Sequence, residues 1–225
     1  RMAHKLDSME GYDKKGEKNR TTLEIRGKNL VHRADMLNLK KNDSLVMNYY
    51  QGREVNPENI AKLKILVNIM NRMILGLNIE KELNIKIKVQ EHIKGNTTGF
   101  IISLQDKNFK HTGIDLFIEN FLEDFVRIMH RASEEMIESE VKEASRQCTR
   151  VLESQPNTFS NKVQEIFSHI ENEDYEFSMK QDVLSAMKNI SGKEYLAYVD
   201  DFFANCGKLS LQGFSSKNGL LDFSS

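Results

Sequence analysis

The sequence predicts an α+β fold, in which a mostly antiparallel sheet is packed on one face by several helices. Short stretches with apolar residues at every second position lie in the first half of the chain and near its C-terminal end. Two of these stretches follow each other closely and predict a hairpin. Longer stretches with apolar residues at helical spacing fill most of residues 133–204.

The first two predicted strands lie before residue 52. Leu23 and Ile25 alternate with polar residues, which predicts a short strand that stops at Gly27. Residues 44–51, SLVMNYYQ, are rich in apolar and aromatic side chains at both odd and even positions. We therefore expect 44–51 to be an interior strand that is apolar on both faces.

A helix is predicted next. Asn56 can cap its N-terminus, and Pro57 suits the first turn, where its missing N–H costs nothing. Apolar residues then follow at helical spacing until Gly76, where we expect the helix to end.

From Asn84 the apolar period changes from 3.6 to 2, which predicts a strand with one polar face up to residue 90. Residues 92–99 have the composition of a turn, and 100–105 predict a second strand, so the two form an antiparallel hairpin. The strongest helical stripe covers 114–131. We expect that helix to be the most buried in the chain and to pack over the hairpin.

The remaining elements are mainly helical. Two helix starts carry capping boxes, Ser178 with Gln181 and Ser191 with Glu194. A short alternating strand closes the fold at 208–214. The helices are predicted at 133–153, 158–172, 179–189 and 192–204.

In domain terms, we expect residues 1–21 to be a disordered or linker lead-in, 22–215 to be a single domain, and 216–225 to be a flexible tail. Arg1 stands where an initiator Met would be, and no signal-peptide apolar stretch follows it. Both features suggest a piece of a longer protein.

Composition narrows the class of function. The chain has 225 residues, a net charge of -1 and a mean hydropathy of -0.53, which gives no general reason to bind nucleic acid or a membrane. The charge is polarised, because residues 1–41 hold eleven Lys/Arg against six Asp/Glu and 115–144 hold three against nine. With two cysteines, Cys148 and Cys206, a disulfide framework is excluded, and a reducing, cytoplasmic compartment is favoured.

The sequence offers only weak candidates for a catalytic or metal-binding motif. The nearest stretch to the zinc motif HxxEH is KVQEH at 88–92, which lies in a predicted strand, where the spacing would not converge on a metal. His130 with Glu134 and Glu165 with His169 are helical pairs that we interpret as surface contacts. The residues alone predict no catalytic and no metal-ligating residue, hence a non-catalytic domain.

One set of features is more specific in combination. The order and spacing of several segments resemble the last homologous domain of the insulinase-type zinc metallopeptidases, over about residues 22–215. The segments are YYQ at 49–51, a helix of about twenty residues, KEL at 81–83, GFIISLQ at 99–105, SEEM at 133–136, YEF at 175–177, IS at 190–191 and LSL at 209–211.

The resemblance implies a fold, a site and partners. Members of this family are built from four related domains in two halves, which close around a chamber that holds a peptide substrate. The Zn²⁺ ligands and the glutamate base belong to the first domain, so the resemblance implies no cofactor in this chain and a zinc ion elsewhere in the parent protein. The implied partners are the other domains or a partner subunit, and a peptide in the chamber.

The chain departs from the family at two substrate-binding positions. Active members carry an Arg and a Tyr on a segment that corresponds to residues 77–85, LNIEKELNI, where Asn78 and Ile85 stand instead. Arg would supply a forked cationic donor, and Tyr an O–H near the scissile carbonyl. Neither role is carried over.

Three interpretations therefore remain open. The first is a non-catalytic C-terminal domain of an insulinase-like zinc metalloendopeptidase, forming the chamber wall opposite the zinc half. The second is a domain of an inactive pseudopeptidase that binds peptides or a partner, and the third is an unrelated helical interaction module.

Overall fold

A computed structural model describes residues 28–35, 44–77, 85–94, 96–106, 114–154, 163 and 179–214. These residues form five strands and five helices. In chain order they are β1 (Asn29–Asp35), β2 (Ser44–Glu54), α1 (Pro57–Gly76), β3 (Ile85–Lys94), β4 (Thr97–Asp106), α2 (Ile114–Arg131), α3 (Glu134–Ser154), α4 (Met179–Met187), α5 (Gly192–Asn205) and β5 (Gly207–Phe214).

The strands form one sheet in the order β1-β5-β2-β4-β3. The pairs β5–β2, β2–β4 and β4–β3 are antiparallel, and only β1–β5 is parallel. This confirms the predicted α+β class with a mostly antiparallel sheet. It also confirms that β2 is an interior strand, because β5 and β4 flank it.

Helix α1 begins as its sequence predicts. The Asn56 side chain accepts a hydrogen bond from the Asn59 N–H at 2.7 Å, and Pro57 occupies the first turn. Nine of its side chains are buried, more than in any other helix over the described residues. The expectation that the helix at 114–131 would be the most buried was therefore wrong.

The helices lie on one face of the sheet, as predicted. Helix α1 packs on the β3–β4 hairpin, and α5 packs on β2. The Phe100 ring of β4 stacks on Tyr50 at 4.9 Å and on Phe202 of α5 at 5.4 Å, measured between ring centroids. Helix α2 lies against α5, so the expectation that it would cover the hairpin was also wrong.

The C-terminal helices are joined by capping interactions. Ser191 and Glu194 form the predicted capping box at the start of α5. The Gly192 N–H of the same turn donates to Glu138 of α3 at 2.6 Å. The predicted box at Ser178, and nearly all of the helix predicted at 158–172, lie outside the described residues.

The strands differ from the prediction in two respects. Strand β1 was not predicted, and the strand predicted around Leu23 and Ile25 lies outside the described residues, as do 1–21 and 216–225. In the hairpin, β3 continues to Lys94 and β4 starts at Thr97, so the predicted turn at 92–99 was too long. The Thr98 hydroxyl, which donates to the Arg53 carbonyl at 2.8 Å, helps hold this end in the sheet.

The outer edge of β3 is contacted by a side chain. The Asn71 amide of α1 donates to the Val89 carbonyl at 3.0 Å, and its oxygen accepts from the Val89 N–H at 3.2 Å. The same amide group also donates to Val67 of its own helix. One side chain therefore pairs both backbone groups of a residue on the edge strand.

Within the described residues, no helix is both long and apolar enough to cross a membrane.

Candidate functional site

Of the two positions that differ from the family, the structure describes Ile85. Ile85 is the first residue of β3, half-buried and paired with Asp106 of β4. Asn78 lies outside the described residues.

The KVQEH stretch is a strand, as predicted, and its polar residues lie on opposite faces of the sheet. Glu91 pairs with Lys64 of α1 on the helix-covered side. His92 points to the opposite side, where its ring lies edge-on to Tyr49 with centroids 4.9 Å apart. In the part of the chain that the structure describes, no three His, Cys, Asp or Glu side chains are grouped as a metal site.

The partner predicted for His130 was wrong. His130 of α2 lies 2.7 Å from Asp200 of α5, rather than contacting Glu134. Residues 132–133 separate α2 from α3, so positions 130 and 134 do not share one continuous helix. The pair Glu165 and His169 lies outside the described residues.

Both cysteines are half-buried thiols. Burial raises the pKa of Cys148 to about 11, with the nearby Glu91 carboxylate adding to the effect, and burial also raises the pKa of Cys206. Because the thiolate is the nucleophile, both are poor ones at neutral pH.

The surface best suited to binding is the side of the sheet away from the described helices, which we call the open face. Residues directly opposite each other on paired strands share a face, so the strand registers define its members. They include Leu30 and His32 of β1, Leu209 and Leu211 of β5, Leu45, Met47, Tyr49 and Glu54 of β2, Thr97, Ile101, Ser103 and Gln105 of β4, and Lys86, Lys88, Gln90, His92 and Lys94 of β3.

The open face has an apolar middle. Leu30 is 37% exposed and Leu211 is 42% exposed, and the apolar side chains of β2 and β4 beside them are half-buried. Scattered surface leucines are normal, but these side chains are contiguous across four strands. Such a patch is typical of a surface that contacts another polypeptide.

Strand β5 has an inverted distribution of polarity. Its leucines lie on the open face, while Lys208, Ser210 and Gln212 point toward the helices. The Lys208 ammonium pairs with Glu119 of α2 at 2.7 Å, and the Gln212 amide donates to the Ser210 hydroxyl at 3.2 Å. A strand that served only the core would place its leucines inward.

Polar groups collect at the hairpin end of the open face. Burial raises the pKa of the Tyr49 phenol, against the opposing effect of hydrogen bonds with Thr97 and Gln51. Burial also lowers the pKa of His92, and the Lys94 charge adds to this effect. Tyr49 and His92 are therefore neutral near pH 7 and offer hydrogen-bonding groups to a ligand. This pairing is not recognisable from the sequence, because 43 positions separate Tyr49 from His92.

With this geometry, the molecule has the fold of the insulinase-like peptidase domains. Pitrilysin superposes with a TM-score of 0.67 over 88% of this chain, at 9% identity. A protease from Helicobacter pylori gives 0.59 over 83%, at 11% identity, and a peptidase M16 inactive domain from Pseudomonas fluorescens gives 0.56 over 84%, at 11% identity. Proteins sharing the fold thus include M16 peptidases and one inactive domain.

The likeness covers only part of each of those proteins. The chain spans 20% of pitrilysin and 44% of both the Helicobacter and the Pseudomonas proteins. No protein-family profile matches the chain. No curated protein sequence matches it either.

Proposed function

We propose that this chain is a non-catalytic domain of an insulinase-like zinc metalloendopeptidase, with residues 22–215 as one domain and the open face as part of the wall of the substrate chamber. The observation that carries the proposal is the inverted polarity of β5. Its outward Leu209 and Leu211, and its inward Lys208, are expected where a second polypeptide covers the sheet.

The comparisons support the same proposal. A chain that matches about a fifth of pitrilysin is the size of one domain of a larger assembly. In this proposal Zn²⁺ and the general base belong to another domain or subunit. The residues of this chain bind and orient the peptide, which lowers the entropic cost of bringing the scissile bond to the metal.

A crosslinking experiment tests the chamber wall. A cysteine introduced as Leu211→Cys on the open face of the full natural protein would carry a benzophenone, with Val151→Cys on α3, 63% exposed, as the matched control. We expect a peptide substrate to crosslink at position 211 and not at 151. Equal labelling at both positions, or labelling at 151 alone, would refute the proposal.

The non-catalytic role is tested with the chain itself. The 225-residue protein, incubated with Zn²⁺ and a quenched fluorogenic peptide, should release no fluorescence above the buffer rate. Cleavage by the purified chain that a chelator abolishes would overturn the assignment.

A second candidate is a pseudopeptidase that binds peptides without cutting them. Asn78 and Ile85, at the positions of the family's Arg and Tyr, favour it, and so does the similarity to an inactive domain. The natural gene distinguishes the two. An intact HxxEH motif in the partner domain or subunit supports the peptidase, and a broken motif supports the pseudopeptidase.

A further inference from the structure

We propose that the open face binds extended peptide segments that carry acidic side chains about four residues from apolar ones. This proposal rests on the proposed function, because it names the class of peptide that the chamber wall would take. Two observations carry it: the charge of the open face, and the distance between its cationic and apolar parts.

The β3 side of the open face carries positive charge. Lys86 and Lys88 of β3 are exposed there, whereas Glu54, an acidic residue that shares this face, lies at the hairpin end, in one row with Thr97 and Lys94. Neither Lys86 nor Lys88 forms an ion pair with any described residue. By contrast, Lys208 points to the other side of the sheet and is paired with Glu119.

The difference between these lysines is informative. A lysine that stabilises the fold forms an ion pair with a carboxylate of a helix, as Lys208 does with Glu119. Lys86 and Lys88 stand beside an apolar surface with their charges available, so an incoming carboxylate would gain an ion pair while its apolar neighbours gain contact area.

The strand registers fix the spacing. Lys88, Ser103, Met47 and Leu211 lie opposite one another on β3, β4, β2 and β5. With neighbouring strands about 4.8 Å apart, three intervals separate the lysine from the leucine by roughly 14 Å. An extended peptide crossing the strands covers that distance in about four residues, at about 3.3 Å each.

A neighbouring row repeats the arrangement with uncharged groups. Gln90, Ile101, Tyr49 and Leu209 lie opposite one another on the same four strands. The peptide thus meets polar groups at the β3 side and apolar ones at the β5 side. The cationic groups are confined to one side, so the peptide should bind in one preferred direction.

The probes are three fluorescein-labelled peptides of fourteen residues with a Gly/Ser background. Each carries leucines placed four residues from a variable position, which is Glu, Gln or Lys. Binding to the whole chain is followed by fluorescence anisotropy. We expect the affinity to fall in the order Glu, Gln, Lys, and the advantage of the Glu peptide to shrink when salt is raised.

Two variants and one control locate the effect on the open face. The double variant Lys86→Ser/Lys88→Ser should weaken binding of the Glu peptide by about three- to ten-fold and remove the difference between the Glu and Lys peptides. The control Lys188→Ser/Lys193→Ser removes two exposed lysines from the helical side and should change nothing. Leu211→Ser should weaken all three peptides alike, and circular dichroism verifies that each variant is folded.

Three results would overturn the inference. The first is equal affinity for the Glu and Lys peptides, and the second is no measurable binding of any peptide. The third is a dimer of the chain, seen by sedimentation and abolished by Leu211→Ser, because a second copy would then be the occupant. The proposed chamber wall has its own test in the Leu211→Cys crosslink, so the two proposals fail separately.

Discussion

The two faces of the sheet use similar residues for different purposes. On the helix-covered face, Phe100 is fully buried between Tyr50 and Phe202. One position along on β4 and β2, Ile101 and Tyr49 lie on the open face and keep part of their surface in water. The first face therefore supplies stability, whereas the second leaves apolar surface in contact with water.

The largest expected effect is on the helix-covered face. Phe100→Ala should lower the free energy of unfolding by about 3–5 kcal/mol, because it leaves a cavity between two aromatic rings. Leu211→Ala, on the open face, should lower it by about 1 kcal/mol. Urea denaturation of both variants measures the contrast, and equal losses would mean that the open face is also a structural core.

The next effect concerns the contact between β2 and β4. A Cβ atom at Gly99 would lie 2.3 Å from the Tyr50 carbonyl oxygen, so Gly99→Ala must push the strands apart. We expect a loss of about 1–3 kcal/mol in thermal or urea unfolding. The control is Gly76→Ala at the end of α1, where a Cβ meets nothing within 4 Å. It should be neutral or slightly stabilising, and a similar loss in both variants would contradict this account.

Acid should affect the helices rather than the open face. Hydrogen bonds from Arg146, assisted by Gln147, lower the pKa of Glu143 from 4.5 to about 2. Its contribution is therefore complete above about pH 4.5 and is lost as the pH falls toward 2. Glu143→Gln should flatten the decline of stability over that window. Parallel curves for the variant and the wild type would refute this.

The matched control for acid is Glu153→Gln. Glu153 is exposed near the end of α3 and forms no ion pair with a described residue. The free energy of unfolding of this variant, measured by chemical denaturation, should decline between pH 6 and pH 2.5 as it does in the wild type.

The smallest expected effect is a difference in thiol reactivity, which a labelling experiment measures. The raised pKa of Cys148, about 11, should make the native thiols slow to react with maleimide at pH 7. A cysteine introduced by Leu211→Cys should react on the order of 100-fold faster, because it is exposed and holds more thiolate. Comparable rates at all three thiols would show that the helical layer opens readily.

Local signals predicted the elements whose causes are local. Asn56 and Pro57 define the start of α1, and Ser191 with Glu194 defines the start of α5. Alternation along Ile87, Lys88 and Val89 was enough for β3, whose polar residues do face away from the core.

Non-local pairing was beyond such signals. Strand β1 exists because Asn29 and its successors pair in parallel with residues near position 208, and a parallel register leaves no local turn to recognise. The alternation in β5 was visible in the sequence. Which face of β5 points toward the helices, however, depends on its pairing with β2 and on its contact with α2. The open face is therefore a property of the assembled sheet, and the sequence indicated only its individual strands.

The Asn71 side chain has a consequence for solubility. Open sheet edges can pair with strands of other molecules and start aggregation. By holding both backbone groups of Val89, Asn71 occupies the place that an added strand would need at the middle of β3. A protein with an exposed apolar sheet face gains from this protection, because the middle of β3 is kept from extending the sheet into another molecule.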